Sequence, residues 1–276
     1  MKLNFIHIIL RSIVYYRLNT LYQLLIIIFL SAIITGSLLT GSSVRSSLKK
    51  ENENRLNGTG IVISSGPRFF PGSLATRLEK TSNERCEGIL ELKAWVRNFN
   101  TGESALNVQL WGVNNSFFNF NSQVPTISLE KGEVAINSLL ANRIGLKMGD
   151  DIIIRTEALS DIPAGSPFAP EKDDFESLVL TVKHIVENDG LADFSLGINQ
   201  VRPNNVFIPN EEFSPLFKEE ANINRIIIKE NTSTSVDNIK ESLRLVLTPS
   251  DAGLSIRFSD ASDQFEIISK RIFIGE

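Results

Sequence analysis

From Leu21 to Leu39 the chain runs Leu-Tyr-Gln-Leu-Leu-Ile-Ile-Ile-Phe-Leu-Ser-Ala-Ile-Ile-Thr-Gly-Ser-Leu-Leu, without a charge and with Gln23 as its most polar member. At a helical rise of about 1.5 Å per residue, this stretch comes close to the ~20 residues that cross a bilayer's hydrocarbon. Tyr15, Tyr16 and Tyr22 gather at its front end, and amphipathic rings favour the headgroup layer. Before it, Asn4, His7 and Arg11 share one helical face, while Phe5, Ile8, Ile9, Ile13 and Tyr16 cover much of the rest. The pattern predicts an interfacial amphipathic helix over 1–20, a transmembrane helix over 21–41 and a polar, helix-compatible stalk over 42–57. A cleaved secretory signal is the competing reading, since Thr35-Gly36-Ser37 and Thr40-Gly41-Ser42 are small enough for cleavage. A signal's apolar stretch is ordinarily ~7–15 residues behind a brief charged region, so an uncleaved anchor is the better fit.

After the turn composition Asn57-Gly58-Thr59-Gly60 the pattern changes to short elements. Ile61–Ile63 reads as a buried strand ended by Gly66-Pro67, and 73–80 as a short helix with Leu74 and Leu78 inward. Leu90, Leu92, Ala94 and Val96 alternate with Glu91, Lys93, Trp95 and Arg97; Leu106, Val108 and Leu110 repeat the alternation after Asn98–Gly102. This predicts a hairpin with Trp95 and Trp111 on its outer face, where other parts of the domain or a partner must cover them. Residues 133–136 predict a strand, Asn137-Ser138 a helix start before Leu139, Leu140, Ile144 and Leu146, and Gly145 a helix stop. Lys147-Met148-Gly149-Asp150 then turns into a strand over 151–155.

The stretch 158–177 carries three prolines and an acidic run from Glu171 to Glu176, and predicts a loop or mobile insert. Strands follow over 178–186 and 205–208, a short helix over 211–218, and a strand over 223–229. Val236, Ile239, Leu243 and Val246 form a helical stripe opened by the capping-box pattern Thr234-Ser235-Val236-Asp237. Strands over 254–258 and 265–274 close the chain. The fold class predicted is α+β: a single N-terminal transmembrane helix, then a mixed, partly antiparallel sheet domain over 58–276 with short helices. A division of that domain into two subdomains stays open.

Charge sharpens this division. Lys2, Arg11, Arg17, Arg45, Lys49 and Lys50 are all the charges before Glu51, so a basic, apolar leader precedes an acidic domain in a chain of net charge −4. With three basic residues on each side of the span, the positive-inside rule does not decide orientation. The acidic folded domain behind an anchor-like leader places the N-terminus inside. Scattered Lys and Arg in that domain offer no clustered footprint for a phosphate backbone, which excludes nucleic acid as a partner.

Candidate chemistry is sparse. Cys86 is the only cysteine, so neither an intramolecular disulfide nor a cysteine metal cage is available. His184 is the only histidine outside the leader and lies in a strand, where a packed or surface role outweighs that of a catalytic base. Asp150-Asp151, and Glu171, Asp173, Asp174 and Glu176, lack the alternating spacing and glycine of a calcium loop and read as solvated turns. There is no Gly-x-Ser-x-Gly elbow, no His-Glu-x-x-His and no P-loop, so ATP binding must belong to another polypeptide. The expectation is a protein that is not an enzyme, with no cofactor and no catalytic or metal site.

The order of elements carries more. An interfacial leader and one span precede Leu110-Trp111-Gly112-Val113 with Phe117-Phe118; then comes Gly132-Glu-Val-Ala-Ile-Asn-Ser-Leu-Leu-Ala-Asn-Arg-Ile-Gly-Leu-Lys-Met-Gly-Asp-Asp151, and then the strand Val182–Val186. In that order they resemble the permease subunits of MacB-like and FtsX-like ABC transporters. The resemblance implies a bacterial inner-membrane location, a cytoplasmic N-terminus and a periplasmic main domain. It also implies as partners a cytoplasmic ABC ATPase subunit that binds the ATP, a second permease subunit, and a periplasmic protein or exported cargo. Such permeases have four spans, three of them after the periplasmic domain, so the chain is expected to be a piece of a longer protein. Three further apolar spans encoded beyond Glu276 would bear this out. The rival from another class is a stand-alone membrane-anchored binding or adhesion domain, with Trp95, Trp111 and the 158–177 loop as contact surfaces. An anchored enzyme using His184 comes third.

Overall fold

The computed structural model describes residues 5–66, 68–121, 127–157, 175–187, 189–197, 201–213, 222–231, 234–259 and 264–269. Two compact units emerge, Met1–Asn52 and Glu53–Glu276.

In the first unit, helix α1 (Phe5–Tyr15) precedes α2 (Arg17–Arg55), one uninterrupted 39-residue helix that takes in both the expected span and the expected stalk. No residue of α2 is buried against protein, and Leu25, Ile27, Phe29, Ile33 and Leu38 are all bare. Among the described residues α2 is the one helix long and apolar enough to cross a membrane. Two of its hydroxyls turn back onto the helix. Thr40 Oγ1 donates to Gly36 O at 2.9 Å and Ser42 Oγ to Leu39 O at 2.9 Å, so each is satisfied by its own helix.

In the second unit the elements are, in order, β1 (Thr59–Ser64), β2 (Phe70–Pro71), α3 (Ser73–Ser82), β3 (Cys86–Asn98), β4 (Ser104–Val113), α4 (Asn115–Phe118), β5 (Glu133–Asn137) and α5 (Ser138–Ile144). They continue as β6 (Asp151–Glu157), β7 (Phe175–Val186), α6 (Asp189–Ala192), β8 (Asn205–Pro209), β9 (Asn222–Ile223), β10 (Arg225–Lys229), α7 (Val236–Val246), β11 (Leu254–Ser259) and β12 (Gln264–Ser269). Two 3₁₀ turns, Asn210–Phe213 and Pro249–Ala252, join them.

The main sheet runs β1-β10-β3-β4-β8-β5-β7-β6, and β6 returns to pair with β3. Six strands, β3-β4-β8-β5-β7-β6, therefore close on themselves. Their inward residues, among them Val96, Leu110, Ile136, Ile154, Val182 and Val206, form the first core, with Leu140 and Ile144 of α5 inserted into it. Residues one register step away point outward: Trp111 is opposite Phe207, and Phe207 is opposite Ala135. With Phe117, Phe118, Phe120 and Phe194 they make a second, aromatic core on the outside of the ring. A third core lies where α3 and α7 cover the β1-β10 sheet, through Leu74, Leu78, Ile226, Ile228 and Ile239.

Most expected elements are present, with differences that have physical causes. Leu106 points to solvent at 64% exposure, while Ala105 and Val108 face the core. Asn107 adopts φ 55°, and the bulge between the Ala94 and Val96 pairings shifts the alternation by one residue. Leu139 is likewise exposed and Ala141 takes its place. Strand β7 starts at Phe175, so 175–177 is strand instead of loop; residues 158–174, with Glu171, Asp173 and Asp174, lie outside the described residues. The helix expected from 211 is a 3₁₀ turn at Asn210–Phe213, with 214–218 outside the described residues. The strand expected over 223–229 is interrupted at Asn224. At α7 the Ser235 side chain accepts from the Asp237 N–H, so the cap is Ser235 itself. The closing strands end at Ser269 in the described residues.

Two buried asparagines tie the ring to its aromatic cover. Asn137 Nδ2 donates to Ala192 O at 3.0 Å and Pro203 O at 2.8 Å, while its Oδ1 accepts from the N–H of Leu140 and of Asn205. Asn205 Nδ2 donates to Ala192 O and Phe194 O, and its Oδ1 accepts from Trp111 Nε1 at 3.1 Å. Truncating either leaves several backbone groups dry and unpaired. Asn137→Ala is expected to destabilise the domain by at least ~2 kcal/mol, the cost of orphaning buried partners. Urea unfolding of the full chain in detergent, followed by tryptophan fluorescence, would show it as a lower midpoint.

Candidate functional site

Two places in the second unit depart from plain packing: the foot of α2, and a cleft beside the first half of β3.

At the foot, α2 passes into β1 with only 56–58 between them. Asn57 (φ 48°) and Gly58 (φ 77°) take left-handed conformations that reverse the chain. The Asn57 N–H donates to Asn54 O and the Thr59 N–H to Leu56 O, closing the last turn. The domain then grips the junction, because the Ser195 N–H donates to Arg55 O at 3.2 Å and the Glu230 N–H to Gly58 O at 2.8 Å. Asn57 and Thr59 are buried. Residues 55–59 are thus bonded into the second unit.

The cleft opens where β3 parts from β4. Their pairing stops at Leu90 opposite Gly112, and Cys86–Ile89 pairs with β10. Neighbouring side chains come close to both glycines. A Cβ on Gly88 would sit 2.5 Å from Ile223 Cδ1, and one on Gly112 would sit 2.6 Å from Asn210 Oδ1 and 2.7 Å from Phe213 Cε2. The space has a volume of about 570 Å³ and is lined from α3 by Ser73, Ala75, Thr76 and Glu79, from β3 by Cys86 and Glu87, and by Arg85 just before that strand. Asn114, Ser116, Asn210 and Ile223 complete it.

Its electrostatics are acidic. Glu87 is 8% exposed; burial pushes its carboxyl above the ordinary value, against hydrogen bonds from Ser116 and Asn114 and the nearby Arg85 charge. The Cys86 thiol is pushed up to about 11, chiefly by burial, with Glu79, Glu84 and Glu87 adding to the shift and the Ser82 hydrogen bond opposing it. That thiol is therefore a packed group without nucleophilic character at neutral pH. Arg85 is already engaged, with Nη2 donating to Ser116 O at 3.2 Å and the guanidinium 5.5 Å from the Phe120 ring centre.

The residues singled out by sequence fall elsewhere. His184 lies in β7 opposite Ala135. Among the described residues, no group of three or more His, Cys, Asp or Glu is arranged to hold a metal ion. Asp150 accepts from the Lys147 N–H and serves the turn, whereas Asp151 accepts from Thr181 Oγ1 directly across the β6-β7 ladder. Trp111 is wholly inside the aromatic core, in edge contact with Phe194 at 4.7 Å between ring centres. Trp95 is half-buried under the Arg155 guanidinium, 5.1 Å from its ring. Neither tryptophan is a bare contact surface. Sequence reading missed Glu87 and Asn210; the only local signal was an acid between Cys86 and Gly88 at the start of an apolar strand.

No family model matches the chain, and no curated protein matches it. Among solved structures it is similar to the periplasmic region of MacB from Actinobacillus actinomycetemcomitans, at 13% identity and a TM-score of 0.42, covering 75% of this chain and 80% of that one. It is also similar to the extracellular domain of the noncanonic ABC-type transporter YknZ from Gram-positive bacteria, at 12% identity and a TM-score of 0.43, covering 75% of this chain and 98% of that one. At these scores the folds differ in much of their detail, and the functional reading rests on this chain's own geometry.

The raised Glu87 carboxyl fixes a sign. The folded state keeps this proton at pH values where the unfolded chain has lost it, so the stability cost of Glu87 is complete above its raised value and absent below the ordinary carboxylate range. Glu87→Gln is therefore expected to match or exceed the parent's stability at neutral pH, the gap closing on acidification through that window. Urea titrations at several pH values measure it, and a variant less stable at neutral pH, or a gap that ignores pH, would contradict the burial account.

Proposed function

We propose that this chain is the N-terminal part of an ABC-type transporter permease subunit. In this reading residues 1–20 lie in the cytoplasmic interface, 21–41 cross the bacterial inner membrane and 42–57 rise as a stalk. Residues 58–276 then work on periplasmic cargo or a periplasmic protein. A separate cytoplasmic ATPase supplies the motion, and a second permease subunit completes the membrane part.

The observation that supports this reading is α2, one uninterrupted helix from Arg17 to Arg55, followed after residues 56–58 by β1. A tether for a binding domain has no need of it and is ordinarily flexible, rich in Gly, Ser or Pro. A transmitter does need it, because movement at one end of a helix reaches the other only where no joint absorbs it. The covered Trp95 and Trp111 also weaken the anchored adhesion domain as a rival.

Purification of the chain from its native membranes is expected to bring down a P-loop ATPase. In that complex, a fluorescent probe at exposed Val179 should respond to ATP, and a short Gly-Ser insertion between Lys50 and Glu51 should abolish the response while leaving hydrolysis and membrane location intact. A chain that purifies without an ATPase, or a probe response indifferent to the insertion, would count against transmission.

A further inference from the structure

The cleft beside β3 holds a buried polar group with nothing to bond. Asn210 is 6% exposed, lines the cleft, and its Oδ1 has no hydrogen-bond partner. The large majority of buried side-chain polar atoms in native folds have a partner in protein or ordered water. Glu87, also buried and on the same cleft, offers a carboxylate with more acceptor positions than Asn114 Nδ2 and Ser116 fill. Glu79 stands exposed on the wall and adds a further negative charge. The nearest cation, Arg85, is held by Ser116 O and the Phe120 ring. Ala75 and Ile223 supply apolar wall.

We propose that this cleft binds an organic monocation, a guanidinium or primary ammonium group on a short aliphatic chain. Its N–H donors bond Glu87 and Asn210 Oδ1, and its aliphatic part lies against Ala75 and Ile223. Glu79 draws the charge in. A bound cation also removes the penalty that burial places on the ionised Glu87. An anion would meet Glu79 and Glu87 with Arg85 already engaged, and the described residues offer no three-ligand set for a metal ion. The cleft's volume of about 570 Å³ lies within the ~300–1,000 Å³ of small-molecule sites. The proposal stands apart from the membrane reading, because every residue it uses belongs to the second unit.

The test uses the full chain in detergent micelles and two probes, agmatine for a free cation and the amide of Gly-Arg-Gly for a side chain on a partner. Each is titrated while thermal unfolding is followed by tryptophan fluorescence, with sodium chloride of equal ionic strength as the control. Ligand bound only by the folded state raises the unfolding midpoint. A rise with either probe that weakens about tenfold or more in affinity in Glu87→Gln, the worth of one buried charge-assisted hydrogen bond, and that also weakens in Asn210→Ala, supports the site. Agmatine acting alone identifies a small-molecule ligand, and the peptide acting alone identifies a partner's side chain. No rise beyond the salt control, or an equal rise in parent and both variants, would overturn it.

Discussion

A β-strand has two hydrogen-bonding edges, and β3 has three partners. One edge is taken by β4 from Leu90 to Arg97. The other is divided, with β10 along Cys86–Ile89 and β6 along Ala94–Asn98. Glu91 lies in the gap between them and would be left without a ladder partner. Asn224 fills that gap, its Oδ1 accepting from the Glu91 N–H and its Nδ2 donating to Glu91 O, both at 2.8 Å. A side-chain amide thus stands in for a missing strand, and this is why β9 and β10 break at Asn224. The adjacent Arg225 to Glu91 ion pair holds the same point. Without the handover the six-stranded ring would lose either its closure through β6 or its attachment to the β1-β10 sheet.

The same device recurs wherever the backbone leaves regular pairing. Asn98 donates to Ile144 O and accepts from the N–H of Asn100 and Thr101, fastening the β3-β4 turn to the end of α5. Asn115 accepts from the Leu129 N–H and donates to Leu129 O. Asn137 and Asn205 do this work inside the protein, between ring and aromatic cover. Carrying both donor and acceptor on a short stem, asparagine can satisfy a buried peptide group where no strand reaches it. Asn210 has the same chemistry and burial but an unpaired Oδ1 at the wall of the cleft, where the proposed ligand would complete it.

What the sequence disclosed was local. An uncharged apolar run names α2, and Asn137 and Gly145 mark the ends of α5 because capping is decided within a turn of chain. Alternation reveals the β3-β4 hairpin up to Val96, but the bulge at Asn107 turns Leu106 outward. Ring closure depends on Trp95 meeting Arg155, a pairing no local pattern encodes. The cover over Trp111 is completed by Phe194, distant in sequence. The cleft was hidden for the same reason: Glu87 and Asn210 acquire meaning only when Gly88 and Gly112 let their strands' neighbours approach.

These features give the second unit a stiff frame into which the foot of α2 is bonded. Arg55 and Gly58 are held through their carbonyls by Ser195 and Glu230. The chain from Arg55 through Thr59 is hydrogen-bonded folded structure. Hydrogen–deuterium exchange of the full chain in lipid nanodiscs tests it most directly. Amides from Val44 through Thr59 should be protected as one uninterrupted stretch, comparable at the Thr59 end to those of β3. Fast exchange over 50–58 between a protected span and a protected domain would reveal a flexible linker and contradict the account.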